Sequence, residues 1–317
     1  MGMLVDGKWQ VSNVAINDKK GHFVRPASVF RDVISADSDK GFTPDANRYH
    51  IYVSYACPWA CRALIFLTLK GLHDVISYSV VAPYMTDQGW HFGSESENTH
   101  DQLYGLEYLR DIYLKAAPDA TSKVTVPVLW DKQTKTIVNN ESAEVIRMLN
   151  TAFNDIAKDT TDYYPEHLRA AIDEINEFVY HNINNGVYRT GFATTQEAYE
   201  DAFARLFKAL DEIELLLSKN RYLAGDTLTE ADWRLFTTLI RFDCVYVGHF
   251  KCNLRRIDDY PHISNYLREL YQVPGIKETV RFDHIKEHYY LSHVAINPTQ
   301  IVPVGPAVDY DSPHNRR

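Results

Sequence analysis

Tyr55-Ala56-Cys57-Pro58-Trp59-Ala60-Cys61-Arg62-Ala63 joins an apolar, strand-like run over 50–54 to an amphipathic segment. Pro58 fits the first position of a helix, where its missing N–H is not needed and its fixed φ suits the turn. Cys57 would then stand at the helix start. The first N–H groups and the positive end of the helix dipole point toward such a sulfur and favour thiolate over thiol. Cys57 is therefore read as a nucleophile. Three residues on, where a dithiol redox protein carries its second cysteine, the chain has Ala60. The centre is monothiol, so an external thiol must resolve any mixed disulfide. Cys61, one turn away from the helix end, is assigned to packing.

Outward from Cys57, a helix is expected over 58–69, with Ala60, Ala63, Leu64 and Leu67 at helical spacing and Gly71 placed to end it. A second strand over 75–81 completes a βαβ unit. A helix over 104–117 follows, with Leu106, Leu109, Ile112 and Tyr113 on one face; then come a hairpin of strands over 124–131 and 136–138 and a helix over 141–149. The order βαβ, α, ββα, with the nucleophile before the first helix and a proline entering the third strand, is the thioredoxin-like pattern. Residues 1–48 show little periodicity and read as an irregular extension; 49–150 form the thioredoxin-like domain and 151–164 a turn-rich linker. Residues 165–296 read as an all-helical domain, with helices over 165–183, 195–219, 229–247, 260–272 and 282–291. Thr229 is the expected N-cap of the third. Residues 297–317 are a proline-containing tail laid on the surface. The expected fold class is an α/β thioredoxin-like N-terminal domain followed by an all-α C-terminal domain.

The chain has 317 residues, enough for about two ordinary domains. No run approaches the ~18 apolar residues that span a bilayer, so no membrane partner is expected. The first 20 residues carry Asp6, Lys8, Asp18, Lys19 and Lys20 and no apolar core of a secretory signal. Four cysteines are too few for a disulfide framework, which points to a reducing compartment and a cytoplasmic location. A net charge of −9 argues against nucleic acid as a partner. The 21 tyrosines offer flat apolar area with a polar tip, suited to aromatic, hydroxyl-bearing molecules as well as to ordinary packing.

Two further features stand near the nucleophile in this pattern. The Val126–Pro127 bond can be trans or cis; a cis bond would leave the Val126 backbone N–H and C=O for a peptide ligand. Glu141 and Ser142 open a helix, where a hydroxyl, backbone N–H groups and a carboxylate could hold a zwitterionic amino-acid head or simply cap the helix. A metal is not expected. His284 and His288 are an i, i+4 pair with His293 beyond, yet no glutamate follows His284, and the cysteine pairs are not spaced as in zinc sites. No glycine pattern for a nucleotide is present either.

Cys57-Pro58-Trp59-Ala60, Trp90-His91-Phe92, Val126-Pro127 and Glu141-Ser142, in this order, resemble a glutathione transferase. With Asn185-Gly186-Val187-Tyr188-Arg189, Gly191-Phe192-Ala193 and His288-Tyr289-Tyr290, the chain is similar to the glutathionyl-hydroquinone reductases, the Xi class of that superfamily, from about residue 20 to 307. The resemblance implies the glutathione transferase fold and an enzyme that reduces glutathionyl-hydroquinones with glutathione as co-substrate. It implies that Cys57 forms a mixed disulfide with glutathione, resolved by a second glutathione. Trp90, Val126, Glu141 and Ser142 would bind glutathione. Tyr188 and Tyr289 would act on the hydroquinone and, with Tyr290, line its pocket; each could instead be core packing. The resemblance also implies a homodimer. Two other readings compete: an omega-like thioltransferase that removes glutathione from thiols, and a non-catalytic interaction module of the same fold.

Overall fold

A computed structural model describes residues 2–11, 16–94 and 99–316. The chain divides into two units: residues 1–14, 26–161 and 279–302 form the first, and 15–25, 162–278 and 303–317 the second. Among the described residues, no helix is long and apolar enough to cross a membrane.

The first unit begins with a hairpin, β1 (Gly2–Val5) and β2 (Lys8–Val11). Its turn is Asp6-Gly7, both at positive φ (47° and 72°), the geometry that favours an Asp-Gly pair between twisted strands. Within 1–48, expected to be an irregular extension, residues 2–11 form this hairpin instead, while 16–48 hold only isolated bridges, turns and bends; Leu4, Ile34 and Phe42 are buried, and Leu4 exchanges backbone hydrogen bonds with Ser122. The main sheet holds β3 (Tyr49–Val53), β4 (Ser77–Val80), β5 (Val128–Asp131) and β6 (Thr136–Asn139) in the order β4-β3-β5-β6. Strand β3 is parallel to β4 and antiparallel to β5, and every one of its residues is buried, as a central strand covered on both faces requires.

The β3–β4 crossover is α1 (Pro58–Leu69), with Pro58 in its first turn. Gly71, at φ 61°, turns the chain after it; a Cβ there would lie 2.7 Å from the Lys158 Cβ. Helix α1 packs on α3 (Ser142–Thr151). The helix expected over 104–117 is shorter: α2 covers Arg110–Ala116. Upstream, Gly105 takes φ 63° and the Asp101 carboxylate accepts N–H groups of Leu103, Tyr104 and Leu106, so the backbone bonds to a side chain instead of coiling. The third strand of the pattern starts only at Val128, because Pro127 has no N–H to give to a ladder.

The second unit contains α4 (Arg169–Val179), α5 (Gly186–Gly191), α6 (Gln196–Leu217), α7 (Glu230–Arg241) and α8 (Pro261–Tyr271). Five-residue π-helical turns follow α4 and α7, at Tyr180–Asn184 and Phe242–Tyr246. Thr229 caps α7 as expected: Asp232, three residues on, accepts the Thr229 N–H at 2.8 Å. Asp232 is fully buried and also accepts from Leu223 N–H and the Tyr266 hydroxyl. The tail is anchored by Arg316, which donates to Glu269. The last helix, α9 (Phe282–Ser292), belongs to the first unit, although the sequence reads as helical without a break from 165.

Candidate active site

The Cys57 position follows from the end of β3. The Ser54 hydroxyl, fully buried, accepts the Ala56 N–H at 3.1 Å and bends the chain out of the sheet. Cys57 keeps extended dihedrals (φ −77°, ψ 122°) and stands at the N-cap of α1, its carbonyl accepting the Cys61 N–H at 3.0 Å. Cys57 is half-buried, whereas Cys61, Cys244 and Cys252 are buried. Burial pushes the Cys252 thiol well up, which makes it a poor nucleophile. Among the described residues no disulfide joins any of the four.

The Val126–Pro127 peptide is cis, and the Val126 carbonyl lies 3.8 Å from the Cys57 sulfur. These two sequence-selected residues are thus brought together. Glu141 and Ser142 lie at the start of α3. Glu141 is the N-cap: one carboxylate oxygen accepts the Ala143 N–H at 3.2 Å and the other the Ser28 hydroxyl at 3.0 Å. A carboxylate has about four acceptor sites, so capping leaves it able to take an ammonium group as well. Ser142 is buried, and its hydroxyl accepts from Arg62 Nη1 at 3.3 Å. Arg62 lies on α1 and stacks over Trp59, its guanidinium carbon 4.6 Å from the ring centre. It therefore places a cation between the nucleophile's helix and the start of α3.

Helix α9, in the first unit, touches the segments that carry Cys57 and Trp90. His284 meets Tyr55 edge-on at 5.5 Å, two residues before Cys57. One turn later the His288 ring stacks flat on Trp90, 4.8 Å between centres and 11° between planes. The Met85 N–H donates to Ser292 Oγ, which is 3.4 Å from His288 Nδ1, so the segment carrying Trp90 is fastened to the helix at two points. Tyr289 is 1% exposed, its ring in a mutually contacting trio with those of His288 and His293. Tyr290 is half-buried and its carbonyl accepts from the Asn297 amide.

Tyr188 belongs to the second unit, on α5. It sits in an aromatic cluster with Phe23, Phe192, Tyr246 and Phe250, and the Arg25 guanidinium covers its face at 4.7 Å. Sequence reasoning did not select Arg62, Ser28 or the His288–Trp90 stack. Arg62 left one signal: a cation four residues after Pro58 and three after Trp59 falls on the same helix face as these two. Among the described residues, no group of three or more His, Cys, Asp or Glu side chains is arranged to hold a metal.

The chain matches the family models of the glutathione S-transferase N-terminal domain over residues 56–152 and C-terminal domain over 196–269. The glutathionyl-hydroquinone reductase YqjG of Escherichia coli is 51% identical over 100% of this chain and 98% of its own. A solved Xi-class GST from Natrialba magadii superposes with a TM-score of 0.93 at 52% identity, covering 100% of this chain and 96% of that one. The glutathione-bound structure of YqjG gives 0.91 at 50% identity over 99% of both chains. Family models spanning both halves, together with full-length relatives at half identity, establish that this chain belongs to the glutathione S-transferase family, among the Xi-class glutathionyl-hydroquinone reductases.

Proposed function

We propose that the protein reduces glutathionyl-hydroquinones to hydroquinones, using glutathione. The observation that carries this reading is the sulfur of half-buried Cys57 at the start of α1, facing the Val126 carbonyl, with alanine where a resolving cysteine would stand. In the first step the Cys57 thiolate attacks the glutathione sulfur of the substrate. A sulfur–sulfur bond forms as the sulfur–aryl bond breaks, and the aromatic carbon takes the bonding pair and a proton, leaving as hydroquinone. In the second step a glutathione thiolate attacks the mixed disulfide, releasing glutathione disulfide and regenerating the Cys57 thiolate.

Helix α1 favours the anionic sulfur in both steps. Glu141 and Ser142 are the proposed contacts of the γ-glutamyl head, Val126 of the tripeptide backbone and Trp90 of its outer face. Tyr188, Tyr289 and Tyr290 are the proposed contacts of the aromatic ring, where a phenol can supply the proton that the departing carbon takes. Unbridged cysteines support a reducing, cytoplasmic setting, and the family resemblance supports a homodimer.

The test is parallel turnover of a glutathionyl-hydroquinone and a glutathione mixed disulfide of a small thiol. Reductase action gives the higher kcat/KM with the hydroquinone adduct, by roughly tenfold or more, since only that substrate uses the aromatic contacts. A preference for the mixed disulfide would instead favour the omega-like thioltransferase. No turnover of either would favour the interaction module.

A further inference from the structure

Tyr113, on α2, is fully buried, and its hydroxyl is the junction of two separate segments. It donates to the Thr125 carbonyl at 2.9 Å and accepts the Thr125 N–H at 3.1 Å. It also accepts the Asn140 side-chain amide at 3.1 Å. One donor and two acceptors exhaust what a phenol offers, so the hydroxyl is fully committed. Thr125 immediately precedes Val126 and the cis bond; Asn140 immediately precedes Glu141 and Ser142. Asn140 is itself fixed, its side-chain oxygen accepting the Phe30 N–H at 3.1 Å and its backbone N–H donating to the Phe30 carbonyl.

Packing alone does not call for this hydroxyl. A phenylalanine would keep the buried ring and its edge-on contact with Phe30, at 5.8 Å and 77°. What the oxygen adds is a fixed span between the backbone of residue 125 and the side chain of residue 140. Those residues lead into the two segments proposed to hold the γ-glutamyl head and the tripeptide backbone of glutathione. A flexible tripeptide binds well only if both anchor points are already set at the right separation, since ordering them on binding costs affinity.

We propose that Tyr113 is a positioning residue for glutathione, holding the Val126 segment and the Glu141–Ser142 helix start in register through its hydroxyl. This inference rests on the glutathione-binding reading of those two segments. The experiment compares wild type, Tyr113→Phe and Glu141→Gln as full-length proteins, by steady-state kinetics and by calorimetric titration with S-methylglutathione. For Tyr113→Phe, KM for glutathione and the dissociation constant rise about tenfold, the change that ~1.4 kcal/mol of lost binding produces, while kcat stays within about twofold. Glu141→Gln weakens binding as well.

A Tyr113→Phe protein that melts earlier but binds as wild type, beside a weakened Glu141→Gln, overturns the positioning role and leaves the binding reading standing. Unchanged binding in Glu141→Gln overturns that reading, and the inference with it. Should Tyr113→Phe fail to fold, Asn140→Ala removes the second half of the junction. It carries the same expectation, and unchanged affinity there overturns the proposal.

Discussion

Cys57→Ser lowers turnover of a glutathionyl-hydroquinone on the order of 10⁴-fold or more, the scale of losing a nucleophile. The helix start stabilises an anion by about 0.3–2 kcal/mol, which raises the thiolate fraction of a cysteine at neutral pH but leaves an alcohol protonated. A serine oxygen also cannot form the sulfur–sulfur bond on which both steps depend. The loss is chemical and not structural, because Cys57 occupies an N-cap with extended dihedrals and makes no side-chain cap bond. Serine is among the favoured N-caps, so the variant should melt at least as high as wild type and still bind glutathione. Stopped-flow release of hydroquinone, beside a thermal melt, checks both halves. Turnover within tenfold of wild type would remove Cys57 from the mechanism.

Asp131→Ala destabilises the first unit by about 3–5 kcal/mol, the cost of leaving a nearly buried cation without its partner. Asp131 is fully buried at the end of β5, and its carboxylate accepts two parallel bonds from Arg48, Nε at 2.9 Å and Nη2 at 2.8 Å. Arg48 lies just before β3, so the pair clamps the two central strands at the end of the sheet away from Cys57. Thr43 and Asp45 still contact Arg48 in the variant, which keeps the loss near the lower end of that range. Urea unfolding at neutral pH measures it.

The same pair gives a pH signature. Burial pushes the Asp131 carboxyl up, but the bonds from Arg48, Thr134 and the Gln133 N–H outweigh it and hold the group below the ordinary carboxylate range. A carboxyl lowered on folding contributes stability that is complete above its unfolded pKa of about 3.9 and is lost as pH falls through the folded value. The stability gap between wild type and Asp131→Ala therefore narrows in acid. A gap that stays constant down to strongly acid pH would show that the charge pair is not its source.

What could be read from the chain depended on how local the signal was. Pro58 after Cys57, the Thr229–Asp232 box and Gly71 each act within one turn of backbone, and helix starts and ends stand where they indicate. Asp6-Gly7, between Val5 and Lys8, was an equally local signal of a hairpin, and the irregular reading of 1–48 passed over it. The helix over 104–117 failed for the opposite reason. Its apolar spacing was adequate, but Asp101 captured the backbone N–H groups in competition with the helix.

In the candidate site, the place of Cys57 at a helix start was legible, and Val126–Pro127 stood out as a bond that could be cis, as it is. The long-range pairings around it were not. Arg62 finds Ser142 80 positions away, Tyr113 finds Asn140 27 away, and Trp90 meets its stacking partner only through α9. No periodicity in one sequence records such pairings.

The most direct test of the account is a single exposure of the wild-type protein to a glutathionyl-hydroquinone with no other thiol present. Hydroquinone should appear in one burst, equimolar with protein, and peptide mass spectrometry should find glutathione disulfide-linked to Cys57 and removed by added glutathione. Burst release with Cys57 unmodified, or with the adduct on another cysteine, would contradict it.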